Sequence, residues 1–207
     1  MESTIILILE IIGTIAFAAS GAIVAISKNM DLFGVCMLGG TTAVGGGIIR
    51  DIVLGKFPPI AFIKPIYVIV ALLVSLIIFI FHRRRINNLV KKIYTFIDAV
   101  GLTVFSILGA IQAIKSSNLF LIIFVGIITG VGGGILRDIF AGRIPIIFQK
   151  DIYAIASLVG VLLFAIIYPY NKYAATAVGA CVILIIRILA IRFKWSLPRI
   201  KENSTSS

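Results

Sequence analysis

Two stretches of the chain place an arginine and an aspartate shortly after three consecutive glycines, within otherwise apolar sequence. Their residues are Gly45, Gly46, Gly47, Arg50 and Asp51 in the first stretch, and Gly132, Gly133, Gly134, Arg137 and Asp138 in the second. Ionisable residues in apolar segments mark ion or substrate pathways in membrane proteins. Backbone carbonyls freed at glycine-rich breaks can face a cation. These residue types therefore indicate reversible contact with an ion or a small polar solute.

Two further pairs of ionisable residues recur at equivalent places. Glu10 and Asp98 each begin the pattern Glu/Asp-x-x-Gly-x-x-x-Phe, and Lys64 and Lys150 each precede x-Ile-Tyr. An acidic group inside a membrane span attracts a cation or pairs with an arginine, and the sequence leaves both roles open for Glu10 and Asp98. For the two lysines we expect interfacial anchors, with a gating role as the alternative.

The neighbouring arginine and aspartate of each stretch have two interpretations. Because adjacent helical residues point about 100° apart, we expect each charge to reach across to another helix. Arg50 and Arg137 would then line or guard the ends of a pathway, with Asp51 and Asp138 as counter-ions or helix-end anchors. The alternative is a structural ion pair that fixes the helices near the membrane surface.

The glycine blocks also allow two interpretations. We predict that each block breaks or kinks its helix beside a pathway, because a backbone group freed in the bilayer must be packed or face water. The alternative is that the glycines only permit close contact between two helices.

Both stretches belong to a duplicated unit. The pattern that starts at Glu10 starts again at Asp98, and Ile-x-x-Gly-Lys/Arg-x-Pro follows both Asp51 and Asp138. Self-similarity of this kind indicates a repeat architecture. Three predicted spans fall in each copy, an odd number, so the second copy must cross the membrane in the opposite direction.

The composition places the chain in a bilayer. Hydrophobic residues make up 60% of the 207 residues and charged residues only 13%, whereas about a quarter of an average chain is charged. Apolar runs of about 20 residues predict membrane helices. The seven predicted spans are 5–26, 32–55, 65–81, 93–114, 119–142, 151–169 and 173–193.

We therefore predict an all-α membrane protein with seven transmembrane helices, an inverted repeat of two three-helix units plus a seventh helix. Residues 1–88 form the first repeat with a basic cytoplasmic loop, 89–170 the second repeat, and 171–207 the seventh helix with a short cytoplasmic tail. Most loop lysines and arginines fall on one side, which makes that side cytoplasmic and places the N-terminus outside. Arg187 in the seventh span is expected to reach the cytoplasmic surface.

The net charge of +11 does not indicate nucleic acid as a partner. The cations lie in loops and at the tail, where they orient the chain and contact anionic lipid heads at a cytoplasmic basic rim. The sequence contains no motif for nucleophilic, phosphate or metal chemistry. It has only one histidine and two cysteines, which stand apart from each other. We therefore expect no enzyme, no cofactor and no metal site.

The doubled Gly-Gly-Gly-x-x-Arg-Asp motif resembles that of the prokaryotic homologues of the trimeric intracellular cation (TRIC) channels. The resemblance covers the first six spans and implies seven transmembrane helices, an inverted three-helix repeat and a homotrimer in the prokaryotic cell membrane. It further implies one pore per subunit, with spans 2 and 5 bent at their glycines beside the Arg-Asp pairs. The implied activity is passive flow of monovalent cations, with potassium foremost and sodium as another permeant ion.

Two other functions remain open at this point. Some bacterial proteins with this duplicated domain are regarded as glycine transporters, so a secondary transporter of glycine or another small zwitterion is the main alternative. A purely structural membrane protein is the third. It predicts that the four charges of the two Arg-Asp pairs bind one another and leave no wet path.

Overall fold

The structure is a computed structural model that describes residues 2–81, 88–149, 152–193 and 195. All regular structure in these residues is helical, with nine α-helices and one 3-10 turn at Ile114–Ser116. The helices are α1 (Glu2–Ser27), α2 (Leu32–Val53), α3 (Ile60–Ile63), α4 (Ile66–Phe81), α5 (Asn88–Ala113), α6 (Leu119–Phe140), α7 (Ile146–Gln149), α8 (Ile152–Ile167) and α9 (Lys172–Phe193).

The expectation of an all-helical membrane protein is confirmed. In the described part of the chain, five helices (α1, α2, α5, α6 and α9) are long and apolar enough to cross a membrane. Helices α4 and α8 are apolar but have 16 residues each, fewer than the roughly 20 that a perpendicular span requires. Each of the seven predicted spans falls on one of these seven helices. The short helices α3 and α7 had no counterpart among the predictions.

The two central helices, α2 and α6, begin and end in the same way. The side chains of Asp31 and Asn118 cap their N-termini by accepting a backbone N–H three residues further on, at 2.7 and 3.1 Å. Such caps satisfy donors that a helix leaves free. Just beyond each C-terminus, Gly55 and Gly142 have φ of 67° and 64°, a conformation that glycine adopts without the penalty of a side chain.

Helices α2 and α6 contact each other in the middle of the molecule and are flanked by the others. Helix α1 packs on α2, α4 and α5, whereas α5 packs on α6, α8 and α9. Helix α9 lies against α8 and α5. The α2–α6 contact is antiparallel, because it brings Gly45 against Leu136 and Ile49 against Gly132. The C-terminal ends of α2 and α6 therefore lie at opposite ends of this contact.

Glycines bring the backbones of α2 and α6 into direct contact. A Cβ atom added at Gly46 would overlap the carbonyl oxygen of Thr129, and one added at Gly133 would overlap the carbonyl oxygen of Thr42. Both glycine blocks lie inside helices that run without interruption. The expectation of a break in each helix is therefore wrong, since the glycines permit close approach while helical structure continues through them. A bend at these positions stays a prediction.

Candidate functional site

The first charged site, formed by Glu10, Arg50, Asp51 and Tyr67, lies at the C-terminal end of α2. Arg50 donates from Nε to Asp51 Oδ1 at 2.8 Å. The Tyr67 hydroxyl donates a short hydrogen bond to Glu10 Oε2. The arginine and aspartate are buried, and Glu10 is half-buried. The first charged site thus consists of two bonded pairs, in which the glutamate is held by a tyrosine and not by the arginine.

The second charged site, formed by Asp98, Arg137, Asp138 and Tyr153, lies at the C-terminal end of α6. Arg137 donates from Nε to Asp138 Oδ1 at 2.9 Å, and from Nη1 to Asp98 Oδ1 and to Ser20 Oγ, both at 2.5 Å. Its side chain is 0% exposed. A guanidinium so buried requires its carboxylates, because an unpaired charge in the interior is costly. Here the arginine links three helices: α6, α5 and α1.

Asp51 and Asp138 each tie the end of a long helix to the short helix that follows. Asp51 Oδ2 accepts the backbone N–H of Ile60 at 2.8 Å, and Asp138 Oδ2 accepts that of Ile146 at 2.9 Å. These N–H groups open α3 and α7, where a helix has no internal acceptor for them. In the second site Asp138 Oδ1 also accepts from Arg143, at 2.9 and 2.5 Å.

The expectation that neighbouring arginine and aspartate do not pair is wrong. Arg50 with Asp51 and Arg137 with Asp138 form ion pairs in both sites. The arginine side chain is long enough to turn back along its own helix and meet the carboxylate from the side, at Nε. Arg137 also reaches across to another helix through Nη1, and the two aspartates reach the short helices α3 and α7. That part of the expectation therefore holds for Arg137, Asp51 and Asp138.

The two sites differ in the space beside them. A cavity of about 40 Å³ adjoins the first site, whereas a water needs roughly 10–15 Å³ on the same measure. It is lined by Glu10, Thr14, Ala43, Val44, Gly47, Arg50, Asp51, Ile60, Ala61, Tyr67 and Phe105. The equivalent residues of the second repeat close against one another and leave no volume for a water. They include Val131, Gly134, Arg137, Asp138, Ile146, Ile147 and Tyr153.

A few unequal residues account for part of this difference. Ser20, which accepts a hydrogen bond from Arg137, stands directly before a repeated glycine, and its counterpart in the second repeat is Leu108. Leucine has no acceptor, so the first site lacks this bond. The small Ala61 of the first cavity corresponds to the larger Ile147 in the second site. The two copies of the site are thus similar in plan and different in packing.

Arg187 of α9 belongs to the second site. It is 4% exposed, its Cζ lies 4.3 Å from the centre of the Tyr153 ring, and its Nη2 lies 4.0 Å from Asp98 Oδ2. The expectation that it reaches the cytoplasmic surface is wrong. Helix α9 packs on α5 and α8, and this turns the arginine toward the interior, where an aromatic face and a carboxylate receive it.

Lys56 lies near the first charged site, within reach of the charges of Arg50 and Asp51. Lys56 Nζ donates to Gln112 Oε1 at 2.6 Å. Partial burial lowers the pKa of the Lys56 ammonium from its ordinary value, and the nearby Arg50 guanidinium adds to this. Lys64 is exposed at the end of α3, and its roles as anchor or gate stay predictions. Lys150 lies outside the described residues.

Besides Arg143 and Arg187, sequence reasoning missed the site roles of Tyr67, Tyr153 and Ser20. Tyr67 and Tyr153 occur in the repeated x-Ile-Tyr pattern, and this repetition in an apolar span was the signal that could have assigned them to the sites. Ser20 gave no such signal, because it is not repeated. Its role follows only from the packing of α1 beside α6.

The two tyrosine hydroxyls should differ in their contribution to stability. Tyr67→Phe removes the hydrogen bond to Glu10, and we expect it to lower the free energy of unfolding by about 1–2 kcal/mol. Tyr153→Phe is the matched control. Its hydroxyl is buried without a partner in the described part of the chain, so its removal should be neutral or stabilising. Thermal unfolding of both purified variants in detergent measures the difference, and equal losses would contradict this assignment.

The fold and the two sites define an all-helical integral membrane protein with a duplicated, buried Arg-Asp site on two crossing helices. A family model described as a glycine transporter matches residues 7–83 and 95–169. The inner membrane protein YadS of Escherichia coli is 39% identical over 194 residues, 92% of this chain and 93% of the relative. The membrane protein YvgT of Bacillus subtilis is 36% identical over 192 residues, 92% of this chain and 94% of the relative.

Solved structures give the same result. A prokaryotic TRIC channel crystallised in 0.5 M KCl superposes with a TM-score of 0.89 at 35% identity, over 94% of this chain and 100% of that one. The TRIC orthologue from Rhodobacter sphaeroides superposes with a TM-score of 0.87 at 33% identity, over 93% and 100%. The chain therefore belongs to the prokaryotic TRIC family, and the resemblance noted in the sequence is confirmed.

Proposed function

We propose that this chain is a monovalent cation channel, permeable to potassium, with its pathway between the two repeats of one subunit. The observation that carries the proposal is the likeness to TRIC cation channels over almost the whole chain. The antiparallel α2–α6 contact supports it, because it puts one charged site at each end of a line through the molecule. A channel requires a polar group at each entrance and weak contacts between them.

We further propose seven spans, with α1, α2 and α4 as the first repeat, α5, α6 and α8 as the inverted second repeat, and α9 outside the duplication. The corresponding order of long, long, short helix in each set supports this layout. With the N-terminus outside, the first charged site faces the extracytoplasmic side and the second the cytoplasmic side. The assembly is a homotrimer with one pathway per subunit, and its cytoplasmic basic rim contacts anionic lipids.

In this proposal Glu10 attracts cations into the cavity beside the first site. The opposing charge of Arg50 is offset by its ion pair with Asp51. The glycines of α2 and α6 form the narrow middle, where a small bend at Gly45–Gly47 or Gly132–Gly134 would separate the helices. The closed second site then makes the described arrangement a non-conducting one.

Planar-bilayer recording of the purified protein, with potassium on one side and sodium on the other, tests the proposal. We expect discrete openings and a cation-selective reversal potential. Glu10→Gln should lower the single-channel conductance at low salt by about twofold or more, and high salt should reduce this effect by screening. The matched control is Asp31→Asn, an exposed acid whose amide still caps α2. If the folded protein passes no current at any applied potential, the proposal is wrong.

Transport of glycine is the second candidate. Its specific support is that the first cavity has a guanidinium and a carboxylate on its walls, Arg50 and Glu10, which match the two charges of a zwitterion. The description of the matching family model agrees with it. Saturable uptake of labelled glycine into liposomes, together with a silent bilayer, would favour this carrier over the channel.

The purely structural alternative receives partial support. The four charges of the Arg-Asp pairs do bind one another, as that alternative predicts. It also predicts that no wet path adjoins them, whereas the cavity beside Arg50 is large enough to hold water by the usual volume requirement. We therefore rank it third.

A further inference from the structure

The second charged site contains polar atoms that could bond to each other and do not. In the described part of the chain, four buried side-chain atoms have no hydrogen-bond partner: Asp98 Oδ2, Arg137 Nη2, Tyr153 Oη and Arg187 Nε. All four belong to one cluster. Unsatisfied buried atoms are rare in native proteins and call for an explanation, such as strain, a functional role or a bound water. A second arrangement of the site, in which these atoms find partners, would supply a functional role.

The first site supplies that second arrangement. Tyr67 donates to Glu10, whereas their equivalents Tyr153 and Asp98 stay apart. In the second site the tyrosine hydroxyl instead lies close to the backbone of Gly134, at 3.3 Å from where a Cβ would be. The tyrosine therefore occupies the space that corresponds to the first cavity.

Arg187 lies close to both Tyr153 and Asp98, the two residues that stay apart in the second site. The Arg187 guanidinium covers the face of Tyr153 at 4.3 Å and approaches Asp98 Oδ2 at 4.0 Å. Attraction between these buried charges is much stronger than it would be in water. Helix α9 lies outside the duplicated unit, so the first site has no equivalent of this arginine.

We propose that Arg187 is a positioning residue that keeps the second charged site closed. It presses Tyr153 toward Gly134 and holds Asp98 against Arg137, so the tyrosine and the aspartate cannot pair. Without it, the second site should take the arrangement of the first, with Tyr153 bonded to Asp98 and water beside Arg137. The claim that Arg187 controls ion flow rests on the proposed channel function. The claim that it keeps the second charged site closed does not.

The charges of the second site indicate that it tolerates the loss of Arg187. Within the described residues, two carboxylates, Asp98 and Asp138, face three guanidiniums, those of Arg137, Arg143 and Arg187. Replacement of Arg187 by glutamine leaves two of each sign. The variant should therefore fold, and Arg187→Lys, which keeps the charge, provides a second variant.

Thiol labelling measures closure without any need for ion flow. Val44 lines the first cavity and Val131 is its equivalent in the second site. In a background in which Cys36 and Cys181 are replaced by alanine, each valine is changed to cysteine and reacted with a small water-soluble thiol reagent. We expect Val44→Cys to react and Val131→Cys to react at least about tenfold more slowly, because only the open fraction is labelled.

Addition of Arg187→Gln should bring the labelling rate of Val131→Cys close to that of Val44→Cys and leave the Val44→Cys rate unchanged. Arg187→Lys should keep part of the protection. Arg192→Gln, an exposed arginine on the same helix, is the control and should change neither rate.

The competing explanation is the bulk of Ile147. If Arg187→Gln leaves Val131→Cys protected while Ile147→Ala exposes it, the proposal is overturned. In bilayers, Arg187→Gln should also lengthen the openings. A wild-type protein that labels as expected but passes no current would refute the channel function and leave the positioning role intact.

Discussion

Gly46→Ala is expected to abolish conduction and to lower the free energy of unfolding by about 1–3 kcal/mol, the usual range for an overpacked contact. The added methyl group would overlap the carbonyl oxygen of Thr129. That atom is backbone of the opposite helix, so no side-chain rotation can make room. The methyl group would fill the narrow middle of the proposed pathway, and the backbones of α2 and α6 would have to shift to accommodate it, which would displace both charged sites.

The chain offers a counterpart and a control for this experiment. Gly133→Ala should have the same effect, because its methyl group would overlap the carbonyl oxygen of Thr42. Gly40→Ala lies on the same helix as Gly46 and meets only Leu72 Cδ2, at 3.9 Å, so it should conduct and unfold like the wild type. Bilayer recording and thermal unfolding measure the two effects. A conducting, stable Gly46→Ala protein would show that the α2–α6 contact is not close.

Asp98→Asn is expected to be the most destabilising substitution in either site, at about 3–5 kcal/mol, the usual result of breaking a buried ion pair from one side. Asparagine preserves the volume and removes the charge that the fully buried Arg137 requires. It also removes the carboxylate nearest Arg187. The expected result is a large fall in the unfolding midpoint and poor recovery of folded protein.

The equivalent change in the first site is the control for Asp98→Asn. Glu10→Gln should be mild in its effect on stability, because Glu10 is half-buried and the glutamine oxygen can still accept from Tyr67. The double variant Asp98→Asn, Arg137→Gln should recover part of the loss, since the two residues are in contact and their effects do not add. Equal losses for Asp98→Asn and Glu10→Gln would mean that the Arg137 pair is not buried as described.

The long helices could be predicted from the sequence because apolar length alone determines them. Most predicted ends lie within a few residues of the observed ones; span 32–55, for example, is observed as Leu32–Val53. Helices α3 and α7 could not be predicted, because four residues carry no periodic pattern. Their first N–H groups are satisfied by Asp51 and Asp138, a dependence that appears only once the chain turns back.

The sequence identified which residues belong to the sites, but it did not predict which of them bond to each other. Duplication identified the Arg-Asp pairs and the acidic residues of α1 and α5, since charges that recur in apolar sequence stand out. Their partners depend on which helix faces which. Arg187 shows this most clearly: its helical position suggested the membrane surface, but the packing of α9 against α8 and α5 buries it. The glycine blocks are a second example, because the sequence was compatible with both close helix packing and a break, and only the structure distinguishes them.

The exchanged contacts between α2 and α6 bear on how such a chain could have originated. Gly46 meets Thr129 and Gly133 meets Thr42. The two glycines are equivalent positions of the repeat, and so are the two threonines. Two identical molecules meet in this reciprocal way in an isologous dimer. A three-helix ancestor with this surface could therefore have formed an antiparallel homodimer before its gene was duplicated and fused. Fusion would then have allowed the two halves to differ, as they do at Ser20 against Leu108 and at Ala61 against Ile147. The glycines at the shared backbone contact leave no space for a side chain.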